Sequence, residues 1–137
     1  MKVKNITRVI NYLILIVVAA CLGILSRIYG TILPDFLARY TGDAMWAFAL
    51  YFLLSLFLLK RSFGFRFWLT CLISLMIELS QYYHAPWIDK LRSTMVGALI
   101  LGSTFVWTDL LCYLAGAVLA IIVDYSFIRT KDYQLRR

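Results

Sequence analysis

The chain has 137 residues, of which 63% are hydrophobic and 15% charged, with a formal net charge of +7. An ordinary soluble domain is about 45–50% apolar and about 25% charged, so a water-soluble fold is excluded and the solvent for this chain is lipid. The excess of positive charge needs no nucleic acid partner, because basic residues collect at the cytoplasmic ends of membrane helices.

The first apolar stretch, residues 9–26, is about long enough to cross a bilayer core, which needs ~20 residues of helix. Val18-Ala19-Ala20-Cys21 after a basic start has the form of a lipoprotein cleavage site, but the apolar run continues through Leu22-Gly23-Ile24-Leu25. The stretch is therefore read as a retained first helix, with Asn11 and Tyr12 near one end and Arg27 closing the other. Between 28 and 42, residues 34–40 are predicted to form a short interfacial helix, with Pro34 in its first turn and Gly42 just past its end. Asp43 then opens helix two, 44–59, and Tyr29, Tyr40 and Trp46 suit an aromatic belt. The basic turn from Lys60 to Arg66 predicts that helix three, 63–81, returns antiparallel. Tyr82, Tyr83 and Trp87 follow it, and Pro86 cannot continue it.

Residues 95–107 are apolar or small, with Gly97 and Gly102 among them. As a helix they would reach ~20 Å, short of a full crossing. They are read as a re-entrant or interfacial arm, since irregular backbone at that depth must be buried by protein or line a cavity. The alternative is a long kinked last helix starting near Met95, which would sink Asp109 toward mid-membrane. The last span is placed at 110–128. The predicted fold is an all-α integral membrane protein over 1–137. It is an antiparallel four-helix transmembrane bundle with a short re-entrant or interfacial segment before the last helix.

Four spans put the N-terminus, the 60–66 turn and the C-terminus on one side. That side holds Lys2, Lys4, Arg8, Lys60, Arg61, Arg66, Arg129, Lys131, Arg136 and Arg137, ten of the 14 Lys and Arg. The other holds Arg27, Arg39, Lys90 and Arg92 together with Asp35, Asp43, Glu78, Asp89 and Asp109. The positive-inside rule then places both termini in the cytoplasm and the acid-rich end outside.

Each helix brings a polar group to that outer end: Arg27 from the first, Asp43 from the second, Glu78 and Gln81 from the third, Asp109 and Tyr113 from the last, with His84 and Arg92 from the connecting loop. Glu78 and Gln81 are three apart and Asp109 and Tyr113 four apart, so each pair shares a helix face. Glu78 lies within the apolar run, where a carboxylate must be paired or wetted. Arg27 and Arg92 are its expected partners, because guanidinium forks fit carboxylates. Asp124, near the inner end of the last helix, is expected to pair with nearby basic residues. Cys21, Cys71 and Cys112 fall in apolar runs with no metal-ligand spacing. No H-E-x-x-H, G-x-S-x-G or phosphate-loop pattern occurs, so catalytic residues are unassigned and no metal or cofactor is expected.

Gly23-Ile24-Leu25-Ser26-Arg27, Tyr40-Thr41-Gly42-Asp43-Ala44-Met45-Trp46-Ala47, Glu78-Leu79-Ser80-Gln81, Ala85-Pro86-Trp87-Ile88, Leu91-Arg92-Ser93-Thr94 and the run from Asp109 to Gly116 carry a resemblance. With them the chain resembles the small bacterial membrane proteins grouped as domain-of-unknown-function 2809, which implies four to five membrane helices and a bacterial cytoplasmic membrane. More distantly it is similar to VanZ-like proteins, linked to glycopeptide tolerance. Those carry E-x-x-Q, then Arg, then D-x-x-x-N-x-x-G. Glu78, Gln81, Arg92, Asp109 and Gly116 follow that order, with Tyr113 in place of Asn and a longer stretch between Arg92 and Asp109.

The leading expectation is a binding protein of the cell envelope, in which Arg27, Asp43, Glu78, Gln81, Arg92, Asp109 and Tyr113 line an outward pocket. Its partners would be membrane lipids, through an envelope lipid headgroup or a lipid-linked glycan precursor. The alternatives are an intramembrane lipid-modifying enzyme using Glu78 and Asp109 as acid and base, and a small proton-coupled transporter carrying protons on Glu78.

Overall fold

Backbone amides and carbonyls have no water partners in a bilayer, so apolar segments satisfy them internally as helix. The computed structural model describes residues 2–102 and 105–134, with side chains described over 6–98, 100–102 and 105–126. Its helices are α1 (Lys2–Ile28), α2 (Asp35–Phe57), α3 (Phe63–Ser80), α4 (Pro86–Arg92), α5 (Met95–Leu101) and α6 (Trp107–Gln134). No strand occurs among the described residues. Four stretches, Ile6–Ile28, Asp35–Phe57, Phe63–Ser80 and Trp107–Ser126, are long and apolar enough to cross a membrane, as in a multi-pass membrane protein.

The outer faces of these four helices are apolar. Leu13, Val17 and Leu22 on α1, Trp68, Leu72 and Met76 on α3, and Leu111, Leu114 and Ile122 on α6 are all exposed, which suits lipid contact. Inside, Tyr12, Ala19, Phe48, Tyr51, Phe52 and Ala120 form the core, where α1, α2 and α6 meet. Small residues set how closely the helices approach. A Cβ added at Gly116 would lie 2.0 Å from the Ala44 carbonyl oxygen, so the α2 and α6 backbones touch there.

Several boundaries differ from expectation. The first helix begins at Lys2 rather than 9 and ends at Ile28, because a helix need not stop where its apolar run stops. The short 34–40 helix and the start of helix two at Asp43 are one continuous helix from Asp35. Gly42 lies inside it, buried, and a Cβ there would lie 3.1 Å from Arg27 Nε. Gly42 therefore marks close packing of α1 on α2, and it has none of the positive φ of a helix-ending glycine. Helix three matches closely. Ser62 caps it by accepting from the Phe65 amide at 3.2 Å, and Gln81 is its C-terminal cap residue.

The connection treated as loop holds α4, with Pro86 in its first turn, where its missing N–H costs nothing. In the 95–107 stretch, Thr94 caps the seven-residue α5, ~10 Å of helix, and Gly102, at φ 66°, stops it. Residues 103–104, within that stretch, lie outside the described residues. The last helix starts at Trp107, three residues earlier than expected, with Asp109 in its first turn. The side chains of Lys2, Lys4, Arg129, Lys131, Arg136 and Arg137, which carry part of the expected charge asymmetry, also lie outside the described residues.

Candidate functional site

Two polar clusters occupy the bundle. The first is built around Glu78, one turn from the end of α3 and 0% exposed. Its Oε2 accepts hydrogen bonds from Gln81 Nε2 and from Tyr113 Oη, both at 3.0 Å, and its Oε1 accepts from the Val106 amide at 2.9 Å. Gln81, Tyr113 and Val106 come from the end of α3, from α6 and from the residue before α6, so one carboxylate joins three backbone segments. The expected ion pairs to Arg27 and Arg92 are not there; among the described residues Glu78 has no cation within ion-pair distance.

Arg92 is drawn elsewhere. The last carbonyls of a helix lack partners and carry partial negative charge. From the last turn of α4, Arg92 donates to the Ser80 carbonyl at 2.7 Å and the Tyr83 carbonyl at 2.8 Å, and it lies 3.6 Å from Asp89. It thereby pins the connection to the end of α3, and it is 6% exposed. His84 meets Asp89 at 3.2 Å, both exposed, apart from the Glu78 group.

Arg27 pairs with Asp43 instead, at a long 3.5 Å, with the two side chains 52% and 21% exposed. Asp43 also lies in the electrostatic field of Asp109 and Glu78. Asp109, half-buried, accepts from the neighbouring Thr108 hydroxyl at 3.4 Å. The structure thus brings Asp43, Glu78, Asp109, Tyr113, Gln81 and Arg27 to the same end of the bundle, with Arg92 bracing it from outside.

Next to the carboxylates runs an apolar groove of about 550 Å³, lined by residues of α2 (Phe36, Tyr40, Thr41 and Ala44) and of α6 (Thr108, Leu111, Cys112 and Ala115). Thr108 and Cys112 bracket Asp109 along α6, and Cys112 lies in the field of both Asp43 and Asp109. A second groove of about 560 Å³ lies between α1 and the start of α2, and Thr41 lines both.

The second cluster was only partly legible in the sequence. Asp124 is 0% exposed and accepts from Tyr12 Oη at 2.6 Å, Tyr51 Oη at 3.0 Å and Arg66 Nη1 at 2.9 Å. Arg66 is 2% exposed. The expected pairing of Asp124 with a basic residue is found, yet Arg66 reads as one more charge of the Lys60–Arg66 turn. Its signal was position: it stands one turn inside the apolar run, where a lone cation needs a partner at the same depth on another helix.

The sequence profile described as "Protein of unknown function (DUF2809)" matches residues 32–117. The chain belongs to the DUF2809 family. The matched stretch runs from the α1–α2 connection to the middle of α6, so the DUF2809 region holds Asp43, Glu78, Gln81, Arg92, Asp109 and Tyr113, while Arg27 and Asp124 lie outside it. No solved structure matches this DUF2809 chain.

Proposed function

We infer that this protein holds an envelope lipid, with acyl chain in the α2–α6 groove and headgroup against Arg27, Asp43 and Asp109. The observation that carries the reading is an apolar groove of ligand size whose wall residue Cys112 lies in the field of Asp43 and Asp109; the charged groups themselves stand beside the groove and do not line it. Arg27 is half exposed, and its contact with Asp43 is long, which leaves guanidinium donors for a phosphate. Asp43 and Asp109 accept from hydroxyl or ammonium groups. Phosphate beside hydroxyl or amine is the chemistry of phospholipid headgroups and of lipid-linked glycan precursors, and the likeness to VanZ-like proteins points to the same class. Glu78, Gln81, Tyr113 and Arg92 serve this site by fixing its walls. The enzymatic alternative is less favoured, because both oxygens of Glu78 are engaged by protein donors.

The reading tests directly by native mass spectrometry of the protein in detergent with phosphatidylethanolamine. Arg27→Ala is expected to weaken retention by about tenfold or more, the loss of a charge-assisted hydrogen bond. Equal retention by wild type and Arg27→Ala would dismiss the headgroup assignment.

The proposed frame is an antiparallel bundle in a bacterial cytoplasmic membrane, with the Glu78 end outside. Contacts support the alternation: Tyr12, Tyr51, Arg66 and Asp124 meet at one level, and Arg27, Asp43, Glu78 and Tyr113 gather at another, ~18 Å along α3. The 95–107 stretch is taken as an interfacial or re-entrant arm at that outer end. A cysteine introduced at Thr31 is expected to react with an impermeant maleimide in intact cells. Reaction only after permeabilisation would reverse the orientation.

A further inference from the structure

The two grooves at the Glu78 end of the bundle are alike. One, of about 550 Å³, lies between α2 and α6; the other, of about 560 Å³, lies between α1 and the start of α2. Each is of ligand size by itself. The walls of both are mostly apolar, and those of the second include Leu22, Leu25 and Tyr29 of α1 and Leu33 of the connection.

Only α2 separates them. Phe36, Tyr40 and Ala44 line the first groove and Leu37 the second, while Thr41 lines both. Residues four apart stack along one side of a helix, and the next row stands ~100° round it. The grooves therefore run side by side along adjacent rows of α2, ~8 Å apart on a helix about 10–12 Å across. They also share a depth. The α2 residues span ~12 Å of helix, and Leu22 to Tyr29 span ~10 Å, less than half of the ~30 Å hydrocarbon core. The α2 and α6 backbones touch at Ala44 and Gly116, where the lining of the first groove ends. Each groove thus admits a short length of chain within one leaflet.

We propose that the bound lipid is a diacyl glycerophospholipid that sits astride α2, with one acyl chain in each groove. Two apolar grooves of equal volume, level with each other and meeting at Thr41, fit a ligand with two chains on one short backbone. The inference rests on the lipid-binding reading above and narrows it, because a glycan precursor carried on a single prenyl chain leaves the second groove unused. Once one chain is seated, the glycerol holds the other beside its own groove. The second chain then binds at a high effective concentration, which a one-chain lipid lacks.

The test is native mass spectrometry of the full chain in detergent with dioctanoyl-phosphatidylethanolamine and palmitoyl-lysophosphatidylethanolamine. The two probes share a headgroup and carry the same number of acyl carbons, in two chains or in one. Wild type is expected to hold the two-chain lipid about tenfold or more tighter. Leu37→Trp and Leu25→Trp put an indole into the α1–α2 groove from opposite walls, at positions 44% and 45% exposed. Each should erase the preference and leave the lysolipid bound as before, while Leu72→Trp on the lipid face of α3 should keep the preference. Misfolding of one groove variant, seen as loss of its thermal transition, leaves the other to decide. Equal retention of the two probes by wild type, or a folded Leu37→Trp or Leu25→Trp variant with the wild-type preference, overturns the two-chain assignment. Arg27→Ala keeps the two readings apart, since it should weaken both probes alike. No weakening with the preference intact dismisses the headgroup assignment alone, and weakening without any preference dismisses the two-chain assignment alone.

Discussion

Asp124→Ala is expected to destabilise the protein by about 3–5 kcal/mol, the cost of breaking a buried ion pair by removing one partner. The reason is what remains behind. Arg66 and Asp124 are 2% and 0% exposed. Without the carboxylate the guanidinium is left as an uncompensated charge among apolar side chains, and the hydroxyls of Tyr12 and Tyr51 lose their acceptor. Arg66 keeps only its contacts with the Tyr12 hydroxyl and the Arg61 carbonyl, together with the ring faces of Phe63 and Tyr51. In detergent the melting temperature should fall by about 10–20 °C. The double variant Arg66→Met, Asp124→Leu removes the stranded charge as well, and replacing a whole buried pair by apolar groups is often neutral. It should recover most of the loss, short of the unpaired tyrosine hydroxyls. A double variant no more stable than Asp124→Ala alone would show that the stranded cation is not the source.

The four spans were legible in the sequence because lipid imposes one strong rule, a long apolar run. The Glu78–Gln81 contact was legible for a similar reason, since a spacing of three fixes neighbours on a helix. What stayed hidden depends on contacts between segments distant in the chain. Gly42 reads as a helix end until α1 is seen packed against it. Arg92 reads as a partner for Glu78 until the Ser80 and Tyr83 carbonyls, at and just past the end of α3, are seen to claim it. The partners Glu78 does find, the Val106 amide and the Tyr113 hydroxyl, are 28 and 35 residues away in sequence, and a backbone amide leaves no mark in composition. The polar face of α3 was written in the sequence as Arg66, Thr70, Ser74 and Glu78. Each of these residues reads singly as tolerable, and only their common burial makes them a stripe.

Glu78→Ala is expected to cost about 3–5 kcal/mol, because three donors lose one acceptor and each buried unpaired group is worth about 1–3 kcal/mol. Water entering from the nearby helix ends holds the total below the simple sum. Glu78→Gln is expected to cost less. It keeps one acceptor oxygen, but its amide nitrogen then faces an N–H or O–H that is itself a donor. The order wild type, Gln, Ala should therefore appear in thermal melts. Hydrogen exchange at the Val106 amide should quicken in the same order, since that N–H donates to Glu78 Oε1 at 2.9 Å. The consequence for the groove is indirect and follows from the backbone. The Val106 carbonyl accepts from the Asp109 amide at 3.0 Å, opening the first turn of α6. A carboxylate that holds Val106 from one side and Tyr113 from the other thus sets where Asp109 and Cys112 stand against α2. Glu78→Ala should consequently lose bound phosphatidylethanolamine as well as stability, although Glu78 does not line the groove. If Glu78→Ala melts with the wild type and Val106 keeps its protection, Glu78 is no brace, and the order of the α6 first turn has another cause.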